Sequence, residues 1–483
     1  MLEIRPILYV IGVMLALLAG SMLVPALVDA ADGNDDWRVF MAAAAVTLFL
    51  AGGTIFATRQ AEPQPFNIRQ TFLLTTLSWI VIAAFAALPL RFADLGLSYV
   101  DAYFEAMSGL TTTGSTVITG LDGMAPGILL WRAMLTAFGG IGIIVMGLAV
   151  LPFLQVGGMQ LFRSESSDRS EKIMPRATQI AANTGGIYVA LTLVCAVAYW
   201  LAGMSAFDAI THAMPTMATG GFANYDASLG FFNSPAIEWI ATLFMFLGGA
   251  SFSLFIMAYH GRPQPIWRDG QMRWYSIVCA VAALALAAWH TLQNGAPWAE
   301  AIRHSAFTVV SIVTTTGFVA ADYTTWGPFA VALVFALTFV GGCTGSTAGG
   351  IKIFRFQILF ATMRRQFFGL VNPHGVWQAT FNGQPVPPGV PLAVTSFFFL
   401  YGLSVMAITA ALGLMGLDFV TSISSAATAL GNVGPGLGDI VGPSGNFSTL
   451  PEGAKALLAF AMLLGRLELF TVLMLLTPSF WRG

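Results

Sequence analysis

Four short stretches of this chain combine the residue types that can replace the water around a cation. They are Thr112-Thr113-Gly114-Ser115, Ala218-Thr219-Gly220-Gly221, Thr315-Thr316-Gly317-Phe318 and Asn432-Val433-Gly434-Pro435, with glycines 114, 220, 317 and 434 spaced 106, 97 and 117 residues apart. A dehydrated cation needs a ring of oxygens, and backbone carbonyls aimed into a narrow channel supply them. Aiming successive carbonyls one way takes the backbone out of helix and strand geometry, which glycine permits at little steric cost. Threonine adds a hydroxyl oxygen. The ion-binding assignment is therefore Thr112, Thr113, Gly114, Ala218, Thr219, Gly220, Thr315, Thr316, Gly317, Asn432, Val433 and Gly434. One such stretch would read as a helix-packing glycine. Four at a near-constant period read as copies of one unit around an axis. The fourth has Val-Gly in place of Thr-Gly, so the symmetry is imperfect.

The elements that must hold these stretches follow from hydropathy. Each stretch comes directly after a short apolar segment, near 99–111, 206–217, 299–314 and 418–430. These are shorter than the roughly 20 residues needed to cross a bilayer. Runs long enough to cross lie at 7–28, 38–58, 71–90, 127–154, 184–204, 236–259, 274–292, 327–359, 392–415 and 455–477. Short helices that stop at a glycine turn at membrane depth read as re-entrant, with irregular backbone facing a water-filled cavity. Their partially negative C-terminal ends would point at the ion and favour a cation. The predicted fold is all-α and integral to the membrane: ten transmembrane helices plus four re-entrant pore helices around a pseudo-fourfold, channel-like pore. Two leading helices fill 1–68. Pore units follow at 69–182, 183–272, 273–390 and 391–483.

Composition supports this class and excludes others. The 483 residues are 57% hydrophobic and 9% charged, with mean hydropathy +0.77, whereas soluble domains carry about 25% charged residues. There is no basic patch of nucleic-acid type. No catalytic constellation, nucleotide motif or metal-ligand spacing stands out, so neither an enzyme nor an organic cofactor is expected. Cys195, Cys279 and Cys343 lie in apolar or small-residue stretches and read as small hydrophobes. The first run is long enough to span a bilayer and lacks a clear cleavage motif, so it reads as a span and not as a cleavable signal.

With the N-terminus in the cytoplasm, fifteen Lys and Arg fall inside and five outside (Arg38, Arg91, Arg132, Arg303 and Lys455), with Arg466 left within a helix. This is the positive-inside bias. It puts all four stretches on the outer face, beside Asp94, Asp101, Glu105, Asp122, Asp208, Asp226, Glu300, Asp322, Asp418, Asp439 and Glu452. Each alone is an ordinary loop charge. Together they form an acidic vestibule that concentrates cations.

Two features lie below the stretches. Residues 341–350 hold five glycines and no bulky side chain, and each glycine weakens a helix by about 1 kcal/mol relative to alanine. The expected result is a flexible loop beneath the third stretch that gates the path, through Gly341, Gly342, Gly345, Ser346, Thr347, Gly349 and Gly350. The alternative is close helix packing through Gly341, Gly345 and Gly349 at i, i+4 spacing. Arg466 lies inside the last run, where a charge costs about 2.5–3.5 kcal/mol on insertion scales. It reads as a barrier to cations, the alternative being an arginine that snorkels to the surface or is paired structurally, and Glu468 lies on a different helix face. Lys352 and Arg355 read as cytoplasmic anchors or docking residues, Asn183-Thr184-Gly185-Gly186 as a helix cap, and His212, Met214 and Met217 as helix packing.

At these residues the chain resembles the superfamily of potassium transporters that includes the Trk, Ktr and plant HKT proteins, over essentially its whole length. The interruption from Gly341 to Lys352 and the two leading helices make it most similar to the Trk-type membrane subunit. The resemblance implies potassium as the bound and transported ion, inward conduction, a homodimer in the bacterial inner membrane, an intramembrane gating loop at 341–350, a barrier role for Arg466 and a cytoplasmic nucleotide-binding (NAD/ATP) regulatory subunit. It maps the filter glycines onto Gly114, Gly220, Gly317 and Gly434, and glycine rather than serine at 114 goes with potassium. Segments 155–183 and 360–390 are too short to hold a regulatory domain, so Arg163, Arg169, Arg364 and Arg365 are the expected docking surface. The alternative is a sodium- or proton-coupled potassium symporter. That mechanism needs acids at mid-bilayer, and apart from Glu468 the apolar runs supply almost none.

Overall fold

The computed structural model describes residues 3–59, 66–150, 156–163, 173–375 and 378–482. Arg169, named above in the expected docking surface, lies outside the described residues, as does Lys172, another of the fifteen inside charges. Among the described residues, seven helices are long and apolar enough to cross a membrane: Arg5–Asp32, Trp37–Thr58, Ile68–Phe92, Pro126–Leu148, Ala182–Leu201, Gly270–Asn294 and Gly389–Leu414. Two more runs fold as bent pairs: Pro235–Gly248 with Phe252–Tyr259, turned by 91°, and Glu452–Arg466 with Phe470–Leu476, turned by 108°. The run at 327–359 is not one helix. It divides into Pro328–Leu337 and Ile353–Val371, with non-helical chain across the glycines between them. That breaks the i, i+4 register on which the close-packing alternative depended.

The four short segments are helices at Tyr99–Leu110, Ala206–Met217, Trp298–Val313 and Phe419–Gly431. Their starts are written locally. Ser98 and Asp101 form a reciprocal capping box, Ser205 caps Asp208 N–H, and Asp418 caps Thr421 N–H. Such caps satisfy orphan donors, and the acids complement the helix dipole. Asp101, Asp208 and Asp418 thus serve as helix-start residues as well as outer charges. Asn183-Thr184-Gly185-Gly186 is not a cap: it lies within a continuous helix, Ile173–Leu201. The three cysteines are free and buried.

Each short helix packs between the long helices that flank it. The first also packs on Glu452–Arg466, the second on Pro126–Val145 and the third on Pro235–Gly248. Glu452–Arg466, from the end of the fourth unit, therefore meets the first unit, and the units close on themselves. Two partly buried ion pairs follow the same cyclic order: Lys455 with Asp101, and Arg303 Nε with Glu238 Oε2 at 3.0 Å.

Candidate ion pathway

The loops after the four short helices share one backbone course. In each, one residue of the turn that follows the helix has a positive φ: Thr112 at 51°, Thr219 at 49°, Thr315 at 58° and Asn432 at 55°. The next N–H reaches back five residues: Thr113 to Ser108 O, Gly220 to Pro215 O, Thr316 to Ser311 O and Val433 to Thr428 O, at 2.8–3.0 Å. A glycine with positive φ follows: Gly114 at 84°, Gly221 at 62°, Gly317 at 78° and Gly434 at 109°. Only asparagine among the first four tolerates this conformation readily, and three threonines held there carry strain.

This course corrects the sequence register of the second stretch by one residue. Gly220 occupies the place of Thr113, Thr316 and Val433, and Gly221 is the counterpart of Gly114, Gly317 and Gly434. Ala218 matches Thr111 and Thr314. With two adjacent glycines, the sequence offered no way to choose between them. The hydrogen bond back to Pro215 O decides it.

The four glycines need their missing Cβ for a second reason. A Cβ on Gly114 would stand 2.6 Å from Gly220 O, and one on Gly434 would stand 2.8 Å from Thr113 O. A Cβ on Gly221 or Gly317 would overlap Thr316 O or Val433 O. Each glycine is therefore pressed against the carbonyl of the next loop, in the order one, two, three, four, one. The loops form a closed ring, and the carbonyls of Thr113, Gly220, Thr316 and Val433 lie at its seams. All four glycines also line a cavity of about 250 Å³ on one side of the ring, shared with Ser115, Asp226 and Arg132.

Arg132, counted above among the outside charges, and Glu105, read there as a loop charge, are buried and brace this ring from behind. Arg132 Nε bonds Glu105 Oε1 at 2.9 Å, its Nη1 bonds Ala223 O at 2.8 Å, and its guanidinium lies 4.2 Å over the Phe222 ring. Glu105 also accepts from Thr116 Oγ1 and Val117 N–H. One ion pair thus ties the first loop to the second. In the second short helix the buried His212 plays the part of Glu105, accepting from Asn224 N–H through Nε2 at 3.3 Å. This is a positioning contact beyond the packing expected of it. Tyr225 donates to Asp208 Oδ2 at 3.1 Å. Burial, and then the Asp208 carboxylate, push this phenol up to about 12, so it remains a neutral donor at ordinary pH. Asp226, at the cavity wall, accepts from Gly120 N–H and Leu121 N–H, again tying loop to loop.

Arg132→Gln leaves Glu105 buried with less than its full complement. Removing one partner of a buried pair costs about 3–5 kcal/mol. The expected result is a lower thermal midpoint and poorer discrimination between potassium and sodium, with stability partly restored in the Arg132→Met, Glu105→Met double variant, which still leaves Val117 N–H and Ala223 O without their side-chain partners. Thermal unfolding and paired flux assays check both parts.

On the opposite side of the ring lies the glycine loop. Its neck is closed by Gly341 N–H to Ile351 O at 2.9 Å and Ile353 N–H to Gly342 O at 3.1 Å, the geometry of a compact Ω-type loop. Thr347 Oγ1 bonds Gly248 O at 3.0 Å and meets Thr219 Oγ1 at 3.0 Å. Gly349 N–H donates to Thr315 Oγ1 at 2.6 Å. A Cβ on Gly349 would approach Gly431 O at 2.6 Å, and one on Gly345 would approach Leu148 Cδ2 at 2.8 Å. Residues of all four units therefore surround the loop. Cys343 N–H donates to Gly249 O at 2.9 Å, at the 91° bend in the second unit. Thr112 Oγ1 and Asn432 Oδ1, at the same level of the ring, are buried without a protein partner.

Arg466 is buried, and its Nη1 donates to Thr347 O at 2.9 Å. Glu468 is not its partner. It pairs instead with Arg355, which also donates to Gly157 O at 3.0 Å and stacks 3.7 Å from the Phe397 ring. Lys352 is buried too and donates to Ala348 O. The anchor reading of Lys352 and Arg355 is thus overturned: both charges lie inside the protein, under the glycine loop, where hydrogen bonds and one carboxylate meet them.

A family model described as a cation transport protein, TrkH, matches residues 37–482. The chain is 46% identical to the Trk system potassium uptake protein TrkI of Halomonas elongata, over 99% of this chain and 97% of that protein. It is 38% identical to the Trk system potassium uptake protein TrkH of Escherichia coli K12, over the full length of both. The crystal structure of the potassium transporter TrkH from Vibrio parahaemolyticus superposes with a TM-score of 0.92 at 36% identity and full coverage of both chains.

Proposed function

This chain belongs to the TrkH family of cation transport proteins, and on that premise we propose that it takes up potassium through the ring of four loops. The observation that carries this reading is the closed ring itself, in which four glycines of positive φ abut four carbonyls in chain order. The filter comprises Thr112 to Gly114, Thr219 to Gly221, Thr315 to Gly317 and Asn432 to Gly434. The carbonyls at its seams replace the hydration shell of the ion. The C-terminal ends of the four short helices add negative potential there. In this reading the protein crosses the membrane ten times, with two leading helices to residue 68 and pore units at 69–182, 183–272, 273–390 and 391–483. Its N-terminus is cytoplasmic, the wide cavity opens outward, and the membrane is the bacterial inner membrane.

Loop 341–350 is the gate and Arg466 its electrostatic partner. The cavity above the ring holds about 250 Å³, whereas that beneath the loop holds about 20 Å³, room for roughly one water. The path is therefore closed on its inner side by a loop held by hydrogen bonds worth about 1 kcal/mol each. A switch can overcome that sum. A nucleotide-binding regulatory subunit is the proposed switch, docking at Arg364 and Arg365 and at the segment that carries Arg163 and Arg169. A homodimer is the proposed assembly.

The ion-coupled symporter is the weaker reading. The glutamates it would use as relays, Glu105, Glu238 and Glu468, are each paired with an arginine. Flux into liposomes containing the purified chain separates the two. Rubidium and potassium should enter at least about tenfold faster than sodium, which is about 1.4 kcal/mol of discrimination, with no dependence on a proton or sodium gradient. Preference for sodium, or uptake that collapses with the gradient, would overturn the proposal.

A further inference from the structure

Basic side chains outnumber acidic ones beneath the glycine loop. Four titratable side chains are buried there: Lys352, Arg355, Arg466 and Glu468. Arg355 and Glu468 form an ion pair. Lys352 and Arg466 remain, and both line the small cavity. Their protein partners are neutral carbonyls, Ala348 O and Thr347 O. Nε and Nη2 of Arg466 are buried without a protein partner, although the whole residue is only 2% exposed. Guanidinium carries five donors and no acceptor. Two like charges held in a dry site are costly unless something neutralises them.

The cavity sets the size of that counter-charge. At about 20 Å³ it takes a single water-sized body and excludes phosphate, sulfate and carboxylates. Its wall also includes the backbone of Gly349 and Gly350, which leaves no side chain in the way. The Glu468 carboxylate at the rim is already taken by Arg355. We propose that this cavity binds one chloride ion between Arg466 and Lys352, which holds the glycine loop in its seat beneath the filter. The ion accepts from the free Arg466 nitrogens and from the Lys352 ammonium, and each of these two side chains already bonds a loop carbonyl. It thereby ties two positive groups to the loop that they would otherwise strain. The role as a latch rests on the gate reading above; the site does not.

Diffraction and flux test the two parts separately. Crystals of the full-length protein grown with sodium bromide in place of chloride should show an anomalous peak beside Arg466 and Lys352. Lys352→Gln and Arg466→Gln should each lose it. Density there without anomalous signal is water and overturns the site. In liposomes, replacing chloride on the loop side with gluconate should raise rubidium uptake about fivefold, the low end of ordinary coupling between two sites. Lys352→Gln should be fast and indifferent to chloride. A bromide peak with flux that ignores the anion is an adventitious ion only and overturns the latch.

Discussion

Gly221→Ala is expected to abolish potassium flux, whereas Gly220→Ala is expected to keep a selective, measurable one. A Cβ at 221 overlaps the Thr316 carbonyl, a backbone atom at a seam of the ring, and must adopt φ near +62°. The left-handed conformation alone costs about 1–2 kcal/mol, and the overlap forces the neighbouring loop outward. Together these exceed about 3 kcal/mol, more than a hundredfold in rate if the displaced carbonyl serves the ion. A Cβ at 220 meets Thr136 Cβ and Cγ2 at 3.0 Å. That is a side chain behind the loop, which yields by small shifts at about 1 kcal/mol, or roughly fivefold. Rubidium uptake by the two variants at matched protein levels measures the difference. Equal losses, or a larger loss at 220, would return the second loop to its sequence register. Gly317→Ala should behave like Gly221→Ala, because its Cβ would overlap Val433 O.

Arg466→Gln should raise the rate of uptake about thirtyfold without changing the ratio of potassium to sodium. A unit positive charge about 8 Å from a passing cation repels it by roughly 2 kcal/mol at an effective dielectric of 20. Gln keeps a donor for Thr347 O, so the loop loses charge before it loses its tether. Selectivity should be preserved because the ring lies on the far side of the loop from this side chain. Arg466→Lys, which retains the charge, should stay within about threefold of the parent, since half a kcal/mol is a typical cost of a tolerated change. If Arg466→Gln and Arg466→Lys conduct alike, the charge is no barrier, and the residue acts only by holding Thr347.

The parts of this protein that are local in the chain were legible from its sequence. The caps Ser98, Ser205 and Asp418 are local too, acting within three residues, although the one cap read from the sequence, at 183–186, falls inside a helix. The short segments read at 99–111 and 206–217 are helices at Tyr99–Leu110 and Ala206–Met217, since an apolar run of fixed length needs no distant partner to declare itself. The break at 341–350 was written in five glycines, and the isolation of Arg466 in an apolar run marked it for a special environment.

What the sequence left open was settled by contacts between segments far apart. Glu105 finds Arg132, and Arg355 finds Glu468, because a buried charge takes whichever opposite charge the packing brings near, regardless of chain distance. Spacing alone therefore assigned all but Glu468 of them to the surface or to anchors. The second loop shows the same division most sharply. Thr219-Gly220-Gly221 contains every residue that the ring requires, but which glycine meets the next carbonyl depends on closing four loops against one another. Sequence by itself determined four apolar half-helices, the glycine turns that end them, a glycine loop and a lone arginine. Only the tertiary structure decided the register of the ring, the partners of its buried charges and the seat of the loop, since each is a geometric condition on several segments at once.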